Sequence, residues 1–196
     1  MTTTFHLVRH GSHDRLDRTL CGRMDGVRLG TAGQKEAQGA AERLAGDDLA
    51  AVVSSPLERC RQTADAVAEG HGLPVETDAA FVELDFGEWT GLSFTELEAD
   101  PRWEPWNSRR SLNRPPGGES LGEAQMRSVR GLEQLRARHP GQAVAVVTHS
   151  DIIKALAAHV LGLNLDLYHR FDVDPASITT LALGDWGAKL IRLNLR

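Results

Sequence analysis

Two cysteines, one tyrosine and no excess of basic residues set the first limits on this 196-residue chain. Cys21 and Cys60 form no CxxC pair and are too few for a framework of bridges, so both read as free thiols. Neither is followed by an arginine after five residues, the spacing with which a thiolate nucleophile cradles phosphate, and that chemistry is excluded. No apolar run approaches the roughly 20 residues that cross a bilayer, so no membrane partner is expected. Met1-Thr2-Thr3-Thr4 leads into a strand-like segment without the basic and apolar parts of a signal peptide, which makes a cytoplasmic location the expectation. A net charge of -5 argues against a nucleic-acid partner, which asks for a basic face. It leaves room for a small anionic ligand held by a few placed arginines. The eight histidines show no HExxH or other ligand spacing; His13, His71, His139 and His169 read as surface residues, and no metal or cofactor is expected.

What is present is an ordinary globular composition, 41% hydrophobic and 25% charged, at a length that fits one domain, whether monomer or homodimer. Strand-like and helix-like segments alternate, which points to an α/β fold with a mainly parallel sheet. The strand-like runs are Thr4–Val8, Leu49–Ser54, Pro74–Thr77, Ala143–Thr148, Thr179–Leu183 and Lys189–Leu193. Capping-box spacing, Ser or Thr followed three residues later by Glu or Gln, predicts helix starts at Thr31, Ser93 and Ser120. Ser55-Pro56 predicts a further start, and Ser150–Leu161 has apolar residues at helical spacing. Residues 100–118 (DPRWEPWNSRRSLNRPPGG) follow neither period and read as an irregular loop on the substrate side. Trp103, Trp106, Arg109, Arg110 and Arg114 are its candidates for ligand recognition.

In open α/β sheets, ligands sit beyond the carboxyl ends of the strands. The first strand ends in Arg9-His10-Gly11, the second in Ser54-Ser55 with Arg59 and Arg61 soon after, and the fourth in His149. Two imidazoles, an arginine and two helix N-termini converging there describe a phosphate pocket. Arg61 itself reads as a solvated helix residue.

The runs LVRHG, SSPLERCRQTA, VELDFGEWTG, PPGGES and VVTHSDIIKAL, in that order, resemble the histidine phosphatase superfamily, in its phosphoglycerate mutase-like branch. The resemblance implies a three-layer sandwich, with a mostly parallel central sheet flanked by helices, and a metal-independent phosphomonoesterase acting on a small phosphorylated metabolite. It makes His10 the nucleophile, phosphorylated on an imidazole nitrogen. It assigns Arg9 and Arg59 to the phosphate clamp, Glu83 to the proton donor and His149 to a cationic hydrogen-bond donor. Asp85 and Glu88 are competitors for the acid. Gly11, Ser12, Gly22 and Ser150 correspond to ligand-lining positions, Gly11 by letting phosphate approach the backbone, and Arg23 is a further binding candidate. The chain leaves the mutase pattern at Ser12 and Leu16, and at Ser150-Asp151 where a glycine pair is common. Phosphoryl transfer of the mutase type and a catalytically silent phospho-ligand module are the alternatives. Gly118-Glu119-Ser120-Leu121-Gly122 has the GxSxG form of a serine hydrolase elbow. Prolines rather than a strand precede it, and Ser120 is better explained as a helix cap. Asp172-Val173-Asp174 lies too late in the chain for a phosphatase whose Asp-x-Asp follows the first strand.

Overall fold

The computed structural model describes residues 1–196 and places six strands in one sheet. The strands are β1 (Thr3–Arg9), β2 (Leu49–Ser54), β3 (Val75–Thr77), β4 (Ala143–Thr148), β5 (Ile178–Gly184) and β6 (Gly187–Leu195). Their order is β3-β2-β4-β1-β5-β6; β3, β2, β4 and β1 are mutually parallel, and β5 runs antiparallel to both β1 and β6. Six helices connect them: α1 (Thr31–Leu44), α2 (Glu58–His71), α3 (Phe94–Glu98), α4 (Trp103–Ser108), α5 (Leu121–Arg138) and α6 (Ser150–Leu161).

The layers follow from strand periodicity, because successive side chains point to opposite faces. Phe5 and Leu7 of β1, Ala51 and Val53 of β2, and Val144 and Val146 of β4 pack with Leu132 and Leu135 of α5 and Ile153 and Leu156 of α6. Their neighbours Val8, Val52, Ala145 and Val147 pack on the other face with Ala40 and Leu44 of α1 and Ala64 and Val67 of α2. This is the three-layer α/β sandwich expected. β1 and β4 lie side by side at its centre, with Arg9 opposite Thr148 in register, so the residues that follow the two strands are delivered to one place.

The capping boxes at Ser93 and Ser120 form, each serine accepting from the backbone N–H three residues on. Ser120 is therefore a cap and no nucleophile. Two helix starts differ from expectation. The N-cap of α1 is Gly30 and Thr31 is already helical, without a side-chain cap. Backbone packing pins that turn instead, since a Cβ on Gly33 would stand 1.9 Å from Ser12 O. α2 begins at Glu58 and not at Ser55, because the Ser55 hydroxyl is committed to His149. The segment 100–118 is not wholly irregular, as it contains α4. There Trp103 and Trp106 stack at 5.0 Å and join Trp89 and Phe86 in an aromatic cluster, which gives this apolar stretch a core of its own.

Candidate active site

At the carboxyl ends of β1 and β4 the rings of His10 and His149 stand 5.2 Å apart, edge to face. Both are buried. His10 Nδ1 donates to Gly11 O at 2.8 Å, and Arg59 Nε donates to His10 Nε2 at 3.2 Å. These partners define the tautomer: the proton is on Nδ1 and the lone pair is on Nε2. Burial and the nearby Arg59 and Arg9 charges hold the His10 pKa well below its usual 6.5, so the ring is neutral and nucleophilic at neutral pH.

Arg59, the second residue of α2, is the hub of the site. Its Nη2 donates to Gly22 O at 2.7 Å and to His149 Nδ1 at 3.2 Å, while Nη1 is buried with no partner. His149 Nε2 consequently carries the proton and donates to Ser55 Oγ at 2.8 Å. Burial and the charge of Arg59 lower the His149 pKa well below 6.5. His149 is thus a neutral ring here, in contrast to the cationic donor that the resemblance implies. Arg9 donates through Nη1 to Val173 O at 2.7 Å and leaves a buried Nε unpartnered. A buried and a half-buried guanidinium, each with a buried donor unused, form an anion clamp. The N-terminus of α6 adds to it, since His149, its N-cap, offers no side-chain cap to the first amides.

Glu83 stands across the cavity, with Oε2 3.8 Å from His149 Nδ1 and Oε1 accepting from Leu84 N at 3.0 Å. Burial, and after it the Asp151 carboxylate, push its carboxyl up to about 8, so it carries a proton at neutral pH. Its segment is braced from three sides. Thr148 Oγ1 donates to Phe81 O at 2.6 Å, tying the segment to the end of β4. Arg23 Nε and Arg127 Nη2 both donate to Glu83 O, at 2.8 and 3.2 Å. The Pro115–Gly118 turn lies so close that a Cβ on Gly118 would stand 2.2 Å from Asp85 O, which explains the glycines of PPGGES. The competing acids are elsewhere engaged: Asp85 caps Gly87 N and pairs with Arg23, and Glu88 is exposed beside Arg102.

Arg9, His10, Arg59, Glu83, Gly22 and Ser150 line one cavity of about 160 Å³, and His149 closes it from behind through Arg59 and Glu83. Three expected binding residues do not line it. Gly11 donates its N–H to Thr63 Oγ1, and a Cβ there would stand 2.4 Å from Gly33 O, so its lack of a side chain serves α1 packing. Ser12 turns away, giving both its N–H and its hydroxyl to Glu36. Arg23 is spent on Glu83 O, Asp85 and Glu119, and acts on the acid's backbone. Of the 100–118 candidates, Arg109 and Arg114 are exposed, and Trp103 and Trp106 serve the aromatic cluster. Arg110 is buried against Asp151 behind the cavity wall. Sequence reasoning missed His13, read as surface: it is buried in this cavity with its ring 5.5 Å from His10. Its place on the same loop as His10 was the available signal. Asp17 and Asp151 also line the cavity. No three His, Cys, Asp or Glu side chains gather within ligating reach of one another.

The model of the histidine phosphatase superfamily, branch 1, matches residues 5–196. The chain belongs to that superfamily. A relative from Hydrogenobacter thermophilus named phosphoserine phosphatase 1 is 31% identical over 197 residues, covering 96% of this chain and 90% of that protein. A Mycobacterium tuberculosis relative named as a bifunctional protein is 34% identical over 194 residues, covering 97% of this chain and 53% of that one. The chain therefore spans about half the length of some of the superfamily relatives it matches. Among solved structures, native mycobacterial glucosyl-3-phosphoglycerate phosphatase superposes with a TM-score of 0.90 at 28% identity over the whole of both chains. No helix is long and apolar enough to cross a membrane.

Proposed function

We propose that the protein is a metal-independent phosphomonoesterase that works through a phosphohistidine at His10 Nε2 on a small phosphorylated metabolite. The observation that carries this reading is the ordered tautomer of His10. Nδ1 is tied to Gly11 O, and the unprotonated Nε2, which accepts from Arg59 Nε, lies in the cavity that also holds a protonated Glu83. Names among the relatives support phosphoester hydrolysis.

In the first step Arg9, Arg59 and the α6 amides take up the phosphoryl oxygens, which positions phosphorus in line with Nε2 and neutralises charge as it spreads over the oxygens. The N–P bond forms as the P–O bond to the alcohol breaks. The electron pair goes to the leaving oxygen, which takes the proton of Glu83. A dianion in the clamp offsets the Arg59 charge that, after burial, lowers the His149 pKa, and so favours a second donor there. In the second step water attacks phosphorus, gives its proton to the Glu83 carboxylate, and returns the electron pair to His10. The clamp charge comes from arginine, so no metal ion is required for it. With only Arg9 and Arg59 as lining arginines, the cavity has no second clamp of the kind that mutase-type transfer between two phosphorylated positions uses. Hydrolysis of p-nitrophenyl phosphate in the presence of excess chelator tests the reading: sustained turnover is expected, and turnover that requires an added divalent cation would overturn metal independence.

A further inference from the structure

The catalytic cavity is cationic at one end and acidic at the other. Arg9 and Arg59 are its lining arginines, and both belong to the phosphoryl clamp; the other strongly charged lining groups are Asp17 and Asp151. Neighbouring cations are committed or face elsewhere. Arg23 is bound to Asp85 and Glu119, and Lys154 lies over Tyr168 and Phe171 and toward Asp172. Arg15 and Arg18, on the turn that carries Asp17, are exposed and do not line the cavity.

Asp151 is held in place by an unusual partner. Its Oδ1 is 3.2 Å from Arg110 Nη1, and the Arg110 guanidinium is pressed between Trp106 at 3.8 Å and Tyr168 at 4.0 Å. Such a sandwich keeps the guanidinium in one orientation and out of water. The arginine's charge therefore faces Asp151 and not a ligand. The contact is an ion pair without hydrogen-bond geometry, since Arg110 Nη1 has no hydrogen-bond partner, so the Asp151 oxygens keep their capacity to accept. An ionised carboxylate only accepts hydrogen bonds. In the same cavity His13 Nδ1 is buried without a partner, a second polar atom that waits for a ligand.

The geometry points to a substrate whose leaving group donates hydrogen bonds and bears no negative charge: a small polyol or amino-alcohol phosphomonoester whose hydroxyl or ammonium meets Asp151. This rests on the phosphatase reading above. A carboxylate or second phosphate on the leaving group would face Asp151 and Asp17 with no lining cation beyond the phosphoryl clamp to meet it, and like charges brought together in a partly desolvated site repel strongly.

Matched pairs of substrates test it. Glycerol 1-phosphate and 3-phosphoglycerate differ by a terminal hydroxymethyl against a carboxylate, and phosphoethanolamine and phosphoserine by the carboxylate alone. The expected kcat/KM is about tenfold or more higher for the carboxylate-free member of each pair. Whichever of glycerol 1-phosphate and phosphoethanolamine is faster identifies hydroxyl or ammonium as the donor. In Asp151→Asn the ratio within each pair falls toward one, chiefly through KM, whatever the variant does to absolute rates. Equal or preferred turnover of the carboxylate-bearing members by the wild-type protein overturns the inference while leaving the phosphatase reading intact. Failure to hydrolyse even p-nitrophenyl phosphate would instead remove the phosphatase reading itself.

Discussion

The two ends of the catalytic cavity are built differently. The phosphate end stands on the sheet: Arg9 and His10 leave β1, His149 leaves β4, and Arg59 projects from the first turn of α2, with His10, Arg59 and His149 buried and hydrogen-bonded in one chain and Arg9 half-buried beside them. The leaving-group end is made of the 13–20 turn, where Asp17 is exposed and adopts a left-handed φ of 58°, and of Asp151, held by a segment between α4 and α5. Regular elements fix positions to within fractions of an ångström, whereas turns tolerate change. The phosphoryl chemistry therefore sits at the strand ends and helix starts of the scaffold, whereas the leaving-group end combines an irregular turn with Asp151, a residue of α6 whose partner Arg110 comes from outside the regular elements.

Substitutions sharpen that contrast. The largest effect is expected at Arg59, because one guanidinium orients His10, Gly22 and His149 together. Arg59→Ala should lower kcat/KM on every phosphomonoester by about 10²–10³-fold, irrespective of leaving group. A loss confined to some leaving groups in steady-state kinetics would move Arg59 out of the clamp.

Glu83 lies at the boundary between the two ends, and its effect should depend on what leaves. In the phosphorylation step followed in single turnovers, Glu83→Gln should cost about 10²-fold or more on alkyl phosphates and little on p-nitrophenyl phosphate, whose anion leaves without a proton, while the second step, which uses the Glu83 carboxylate as base, slows alike for both. In the wild-type protein the acid is protonated below its pKa of about 8, and burial keeps His10 neutral down to below 6.5. Rates on alkyl phosphates should therefore fall as pH rises through about 8. The same shift has a sign for stability. A carboxyl raised from 4.5 to about 8 on folding contributes stability that is present at low pH and is lost as pH rises through that window. Glutamine does not titrate, so the thermal midpoint of Glu83→Gln should gain on wild type between pH 5 and 8. Melts whose difference is flat with pH would contradict a raised carboxyl.

How much of this the chain declares in advance also differs between the two ends. β1 and β4 are short apolar runs that stop at Arg9-His10 and His149, and a parallel sheet places their carboxyl ends together, so the nucleophile and its neighbours are legible from periodicity and position. Local spacing is a poorer guide where tertiary packing overrides it. Thr31 and Ser55 both carry cap-like spacing, yet the approach of Gly33 to Ser12 and the bond from His149 to Ser55 decide where α1 and α2 begin. Ser12 and Arg23 have the residue types of phosphate ligands, and only their long-range partners Glu36, Asp85 and Glu119 show that they are spent elsewhere. Asp151 stood out in the chain as a departure from a glycine pair, but its role depends on Arg110, Trp106 and Tyr168, which no local pattern connects.

The smallest expected effect lies in the tie between the scaffold and the acid. Thr148→Val removes the hydroxyl that donates to Phe81 O and leaves that buried carbonyl unpaired, at a cost of about 1–3 kcal/mol in stability. Glu83 should lose position and not proton affinity, so kcat on alkyl phosphates should drop a few-fold with the pH profile unshifted. A displaced profile would mean that the hydroxyl sets the electrostatics of the acid and not its place.

The central claim is that the phosphoryl group passes through His10 Nε2. Rapid quench into base during turnover, followed by phosphorus NMR and peptide mapping, reads this directly. The account predicts a base-stable, acid-labile phosphohistidine on the peptide containing His10, substituted at Nε2, and no such species in His10→Ala. A phosphoryl group found on another residue, or full turnover by His10→Ala, would contradict it.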